Sequence, residues 1–180
     1  MKERLLRAAN IFLMILSVVL LGTIQSSFWF QVFGYIPAPA LWIPGLIFIA
    51  IFRTSLEAMI VTAVFGFALS TMTAMSDGLL LSAMYMVTIG SRLFRKRIFW
   101  SSNSYTMILC GFSAFFFHVF YWIISLLFEA TKLTSPQMID WIAESLLTSL
   151  FAPTLFALFH WIDRITGQEE TTRATSTEII

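Results

Sequence analysis

Apolar residues recur in six long stretches that short polar segments interrupt. They run from about 8 to 30, 41 to 52, 56 to 75, 79 to 94, 105 to 128 and 138 to 162. A bilayer-crossing helix needs about 20 mostly apolar residues, within a range of about 17–25. The fifth stretch, Tyr105 to Phe128, is the clearest. The second and fourth are short for a straight crossing, and such segments are re-entrant or thin the bilayer locally. The pattern predicts an all-α integral membrane protein, a bundle of six transmembrane helices in one domain over residues 1–166. A polar, Thr- and Glu-rich cytoplasmic tail, predicted to be disordered, follows over 167–180. Met1 to Arg7 followed by an apolar run resembles a signal peptide. Gly22-Thr23-Ile24-Gln25 offers no clean small-x-small cleavage site, so the segment reads as an uncleaved first helix.

Charge gives an independent check. Of the 11 Lys and Arg residues, Lys2, Arg4, Arg7, Arg53, Arg92, Arg95, Lys96, Arg97, Arg164 and Arg173 fall on one side if six spans alternate, and Lys132 alone falls on the other. Cytoplasmic loops carry this excess of basic residues. Removing either short span would scatter the basic groups over both sides. The expected topology therefore has six spans and both termini in the cytoplasm, with Asp77 and Lys132 external. Asp77-Gly78 reads as a turn.

Composition agrees with this reading. The 180 residues are 58% hydrophobic, 16% aromatic and 12% charged, with a mean hydropathy of +0.84. A soluble domain of this size cannot hide so much apolar surface. Cys110 is the single cysteine, which excludes an internal disulfide, and no Cys/His cluster has zinc-ligand spacing. No cofactor or metal is expected.

Polar residues inside a bilayer are costly, so each is a functional candidate. His118, Tyr121, Trp122 and Ser125 share one face of the fifth span at i, i+3, i+4 and i+7. The plainest reading of His118 is a neutral histidine making one hydrogen bond inside the bundle. Asp140 and Glu144 are four apart near the outer end of the sixth span. Glu144 should lie about 9 Å deeper than Met138, and His118 about 15 Å below the external end of its helix, at roughly 1.5 Å per residue. The two meet if these helices pack together; otherwise both carboxylates reach up to water. Arg53 and Glu57, also at i, i+4, read as a local ion pair at a helix start. His160 and Arg164 suit the cytoplasmic end of the sixth span. Gly66 and Ser70, with Ala63 and Ala74 nearby, form a small-xxx-small pattern that lets helices approach closely. The third span is therefore expected at the centre of the bundle. Pro153 is expected to kink the sixth.

Catalytic signatures are missing from the sequence. There is no GxSxG elbow, no HExxH, no pair of intramembrane aspartates and no phosphate-binding glycine loop. Glu169-Glu170 with Arg173 lies in the polar tail. The chain is expected not to be an enzyme. The basic segment Arg92–Arg97 fits anionic lipid heads better than nucleic acid.

Several segments carry a family resemblance. The first helix ends in Thr23-Ile24-Gln25-Ser26-Ser27, and Pro39-Ala40-Leu41-Trp42-Ile43 opens the second. Phe52-Arg53-Thr54-Ser55-Leu56-Glu57-Ala58 leads into Gly66-Phe67-Ala68-Leu69-Ser70, and Leu93-Phe94-Arg95-Lys96-Arg97 follows the fourth. Over about Leu5 to Arg164 the pattern resembles MreD, the bacterial rod-shape-determining membrane protein. Ser70 stands where that family usually has a glycine, and Ala74 about where it usually has an aspartate. The resemblance implies a non-enzymatic inner-membrane scaffold of the cell-elongation machinery. Its implied partners are MreC, a single-span membrane protein, and, directly or indirectly, MreB filaments and the peptidoglycan synthases. It also implies a fold similar to the substrate-binding subunits of energy-coupling-factor vitamin transporters. Such a subunit is the alternative function, with Glu144, Asp140, Trp141 and His118 lining a pocket.

Overall fold

The computed structural model describes residues 2–73, 75–94, 103–128 and 137–167. Ala74, Arg95 to Arg97, Lys132 and the polar tail from 168 onward, which carry several of the expectations above, lie outside them. The described residues are mostly helical and contain no strand. In order they form α1 (Lys2–Thr23), a π-helical turn (Ile24–Phe28), α2 (Trp29–Phe33), α3 (Trp42–Phe52), α4 (Ser55–Ser70), α5 (Asp77–Phe94), α6 (Asn103–Phe128) and α7 (Met138–Ile165). Each of the six apolar stretches contains a helix, and the third is helical only as far as Ser70. Three helical segments among the described residues are long and apolar enough to cross a membrane: Leu6–Phe33, Asn103–Phe128 and Met138–Ile165. α3 and α4 are shorter apolar helices. α7 runs unbroken through Pro153.

The centre of the bundle is α3, not α4. Every residue from Trp42 to Ile51 is buried, and α3 packs against α1, α4, α5, α6 and α7. The reason is composition. Trp42–Phe52 carries no polar side chain on any face, and a helix apolar all round gains most from protein on every side. α4 has a two-sided surface: Ala58, Val61, Thr62, Phe65, Gly66 and Leu69 are buried, while Leu56, Ile60, Val64 and Phe67 are exposed. Eleven residues give α3 a length of about 16 Å, against a hydrocarbon core of about 30 Å.

An irregular segment delivers the chain to α3, and its last two backbone donors reach side chains of other elements. Ala40 N–H donates to Thr148 Oγ1 (2.8 Å), and Leu41 N–H to Gln25 Oε1 (3.1 Å). Pro37 and Pro39 have no N–H to satisfy. Trp29 Nε1–H donates to the Ile36 carbonyl at 3.1 Å and ties α2 to the same segment. Non-helical backbone is tolerated at membrane depth only when it is covered in this way. Gln25 belongs to the π turn, a feature that re-aims side chains within a helix.

α3 and α7 run parallel. Ala40 meets Thr148, Phe48 meets Phe156 with ring centroids 5.5 Å apart, and Arg53 meets Asp163, so both numbers rise together. α6 and α7 form an antiparallel hairpin. His118 lies against Glu144, and Ser149 Oγ–H donates to the Met107 carbonyl at 2.8 Å. Gly111 lies within this contact. A Cβ there would stand 3.0 Å from Ser149 Cβ and 3.3 Å from the Ser145 carbonyl oxygen.

Candidate functional site: two polar clusters within the helical bundle

Arg53 does not pair with Glu57. It closes α3 in extended conformation, with φ −109° and ψ 165°, and this swings its side chain under the bundle and away from α4. Its Nη2 donates to Asp163 Oδ1 and to Asn10 Oδ1 at 2.7 Å. Asn10 Nδ2 donates in turn to Asp163 Oδ1 (2.9 Å) and Thr166 Oγ1 (2.6 Å). Arg53 is 8% exposed and Asp163 1%; Asn10 and Thr166 are buried as well. Arg92 Nη1 reaches the same place from α5, donating to the carbonyls of Ala50 (3.2 Å) and Arg53 (3.1 Å). It thereby covers carbonyls that the end of α3 leaves unpaired. Arg92, which the sequence offers to lipid heads, is thus engaged within the fold.

Glu57 has a different role. It forms a capping box with Thr54: Glu57 N–H donates to Thr54 Oγ1 (3.4 Å), and Thr54 N–H donates to Glu57 Oε2 (3.2 Å). Its other oxygen accepts from Arg7 Nε at 2.6 Å. The Arg7 side chain is 54% exposed, so this pair faces solvent or lipid heads and contributes little. An i, i+4 spacing requires both residues on one helix. The helix break at Arg53–Thr54 is what separates Arg53 from Glu57.

The second cluster is a meeting that the sequence left open, and the packing of α6 on α7 brings it about. His118 Nε2 and Glu144 Oε2 are 3.0 Å apart, with side-chain exposures of 13% and 20%. Trp141 stacks on the imidazole with centroids 5.7 Å apart and planes 9° from parallel. The His118–Glu144 contact is close but not aligned as a hydrogen bond: buried His118 Nε2 and Trp122 Nε1 have no hydrogen-bond partner among the described residues. Tyr121 is half-buried at the rim of the core, Ser125 is buried, and Asp140 is exposed.

The small-residue pair divides. Gly66 is buried, and a Cβ there would run into Leu81 of α5 and come within 3.5 Å of Met84 Sδ. Ser70 is half-buried and its hydroxyl donates to its own helix, at the Phe67 carbonyl (3.0 Å). Below Gly66, Thr62 and Thr88 hydroxyls bond across α4 and α5 at 3.0 Å. An open groove of about 420 Å³ between the ends of α5 and α6 is lined by Ser76, Gly78, Leu79, Ser82, Ile124 and Phe128. None of the candidate residues named above lines it.

Asn10, Asp163 and Thr166 are the contributors that sequence reasoning missed. The available signal was an asparagine inside an otherwise apolar first stretch and an aspartate beside Arg164 in the last. No family model, curated protein or solved structure matches the chain.

Proposed function

We propose that this chain is a non-enzymatic membrane scaffold, similar to the MreD family, that serves the bacterial cell-elongation complex in the inner membrane. The observation that carries the reading is where the polar side chains go. Arg53 with Asp163, His118 with Glu144 and Thr62 with Thr88 each join one helix to another. Their chemistry is used to hold the bundle together, and the outer surface is left to apolar side chains. Phe12, Leu20, Phe67, Phe112, Leu127, Ile139 and Leu150 are all more than half exposed. Such a surface suits lipid and the single-span helix of an MreC-like partner, through which MreB and the peptidoglycan synthases would be linked.

The proposed topology has six crossings and both ends in the cytoplasm. Arg7, Arg53, Arg92 and Arg164 gather at the Asp163 end of the bundle, as the basic side of a membrane protein does. Asp77 opens α5 fifteen residues before Arg92, about 22 Å away along the helix.

The test is purification from native membranes in mild detergent, with identification of co-purifying proteins and native mass spectrometry of the complex. Recovery of a single-span partner with an external domain is the expected result. A stoichiometric small molecule, or an ATPase partner, would favour the vitamin-transporter alternative and sink the scaffold.

A further inference from the structure

We infer that the buried Arg53–Asp163 pair, with Asn10 and Thr166, is a register lock: it fixes how far α1 and α7 slide along α3, at little net gain in stability. The aromatic part of the α3–α7 contact is repetitive, and beside it Phe159 seats against Gly45, where an added Cβ would stand 3.0 Å from the Phe159 Cζ. Phe48 touches three successive rings on α7, with centroids 5.5 Å from Phe156, 5.4 Å from Phe159 and 4.9 Å from His160. Phe52 also meets His160, at 5.3 Å. A slide of one helical turn, about 5.4 Å, exchanges one aromatic pair for another. Within lipid there is no escape from water to favour either arrangement, so packing alone separates them.

The polar cluster responds to the same slide in a different way. One turn would break Arg53–Asp163, Asn10–Asp163 and Asn10–Thr166 together and pull the buried guanidinium away from the carboxylate it pairs with. A buried ion pair roughly cancels its own desolvation cost when formed, but an unpaired buried charge is strongly unfavourable. The lock therefore acts by excluding slipped states. Because Arg53 is bonded through its carbonyl to Arg92 and through its side chain to α1 and α7, one residue registers four helices. Thr148, which takes the Ala40 N–H, adds a second mark on α7 at the opposite end of α3.

The experiment measures a distance between two spin labels by electron–electron resonance, in the full chain reconstituted in nanodiscs. With Cys110→Ala as background, labels go on Leu56→Cys and Ile139→Cys, which are 72% and 83% exposed, lie at opposite ends of the bundle so that a slide of α7 changes their separation, and leave the core intact. The unmodified lock should give one narrow distance. Arg53→Met with Asp163→Leu should melt within a few degrees of the parent, with a broadened distribution or a second peak displaced by about 5 Å, one turn of helix. A single unshifted peak would show that packing sets the register and overturn the lock; a collapse in melting temperature would overturn the claim of little net stability. If that variant does not fold, the charge-swapped Arg53→Asp with Asp163→Arg decides: a narrow peak supports the lock, and a broad one refutes it.

Discussion

Gly111→Leu tests the contact between α6 and α7. α6 and α7 approach closely enough at Gly111 that the first carbon of a side chain already presses on its neighbours. It would lie 3.0 Å from Ser149 Cβ and 3.3 Å from the Ser145 carbonyl oxygen. One of these atoms is backbone, so no rotamer change removes the overlap; the helices must separate. Separation stretches the Ser149–Met107 hydrogen bond, now 2.8 Å, and loosens the His118–Glu144 contact one and a half to two turns away. Overpacking of this kind costs about 1–3 kcal/mol. For a chain of this size that is a fall in melting temperature of roughly 2–12 °C. Gly66→Leu should cost less, because the atoms it meets belong to the side chains of Leu81 and Met84 and none is backbone. Gly90→Leu should be silent, since a Cβ there meets nothing within 4 Å. The assay is thermal unfolding in detergent, followed by tryptophan fluorescence, for the three variants side by side. The expected order of loss is Gly111, then Gly66, then Gly90. If Gly111→Leu melts with the parent protein while Gly90→Leu does not, the α6–α7 hairpin is packed differently from the description above.

Other outcomes follow from the polar contacts. Asp163→Ala should destabilise by about 3–5 kcal/mol, because it strands the Arg53 charge in the interior. Arg7→Gln should cost about 1 kcal/mol or less, since its pair with Glu57 is exposed; equal melting temperatures for the two variants would contradict the burial of Arg53. Thr148→Val keeps the shape but removes the acceptor for Ala40 N–H, at about 1–3 kcal/mol, and faster hydrogen exchange at Ala40 would locate the effect. In a Cys110-free background, cysteine at position 77 should react with an impermeant reagent on intact cells, and cysteine at position 95 should not. Labelling at 95 from outside would overturn the six-span topology.

The order of helices was legible in the sequence because apolar run length is a one-dimensional property. Each of the six runs holds a helix, the third one ending at Ser70, five residues before its run does, and α3 starts within one residue of where the run after Pro39 placed it. Local geometry was legible for the same reason when both partners lay on known helices. The depths of His118 and Glu144 follow from rise per residue alone, and the two side chains meet. What the sequence could not give was the arrangement of helices around one another. Arg53 looked like the partner of Glu57 because they are four apart, yet the chain leaves the helix at Arg53 and the spacing rule lapses there. Asn10 and Asp163 are 153 positions apart, and only the docking of α1 and α7 on α3 brings them together. The same holds for the centre of the bundle. Small residues drew attention to α4, whereas α3 was buried by its lack of any polar face, a property that matters only once neighbours exist to cover it.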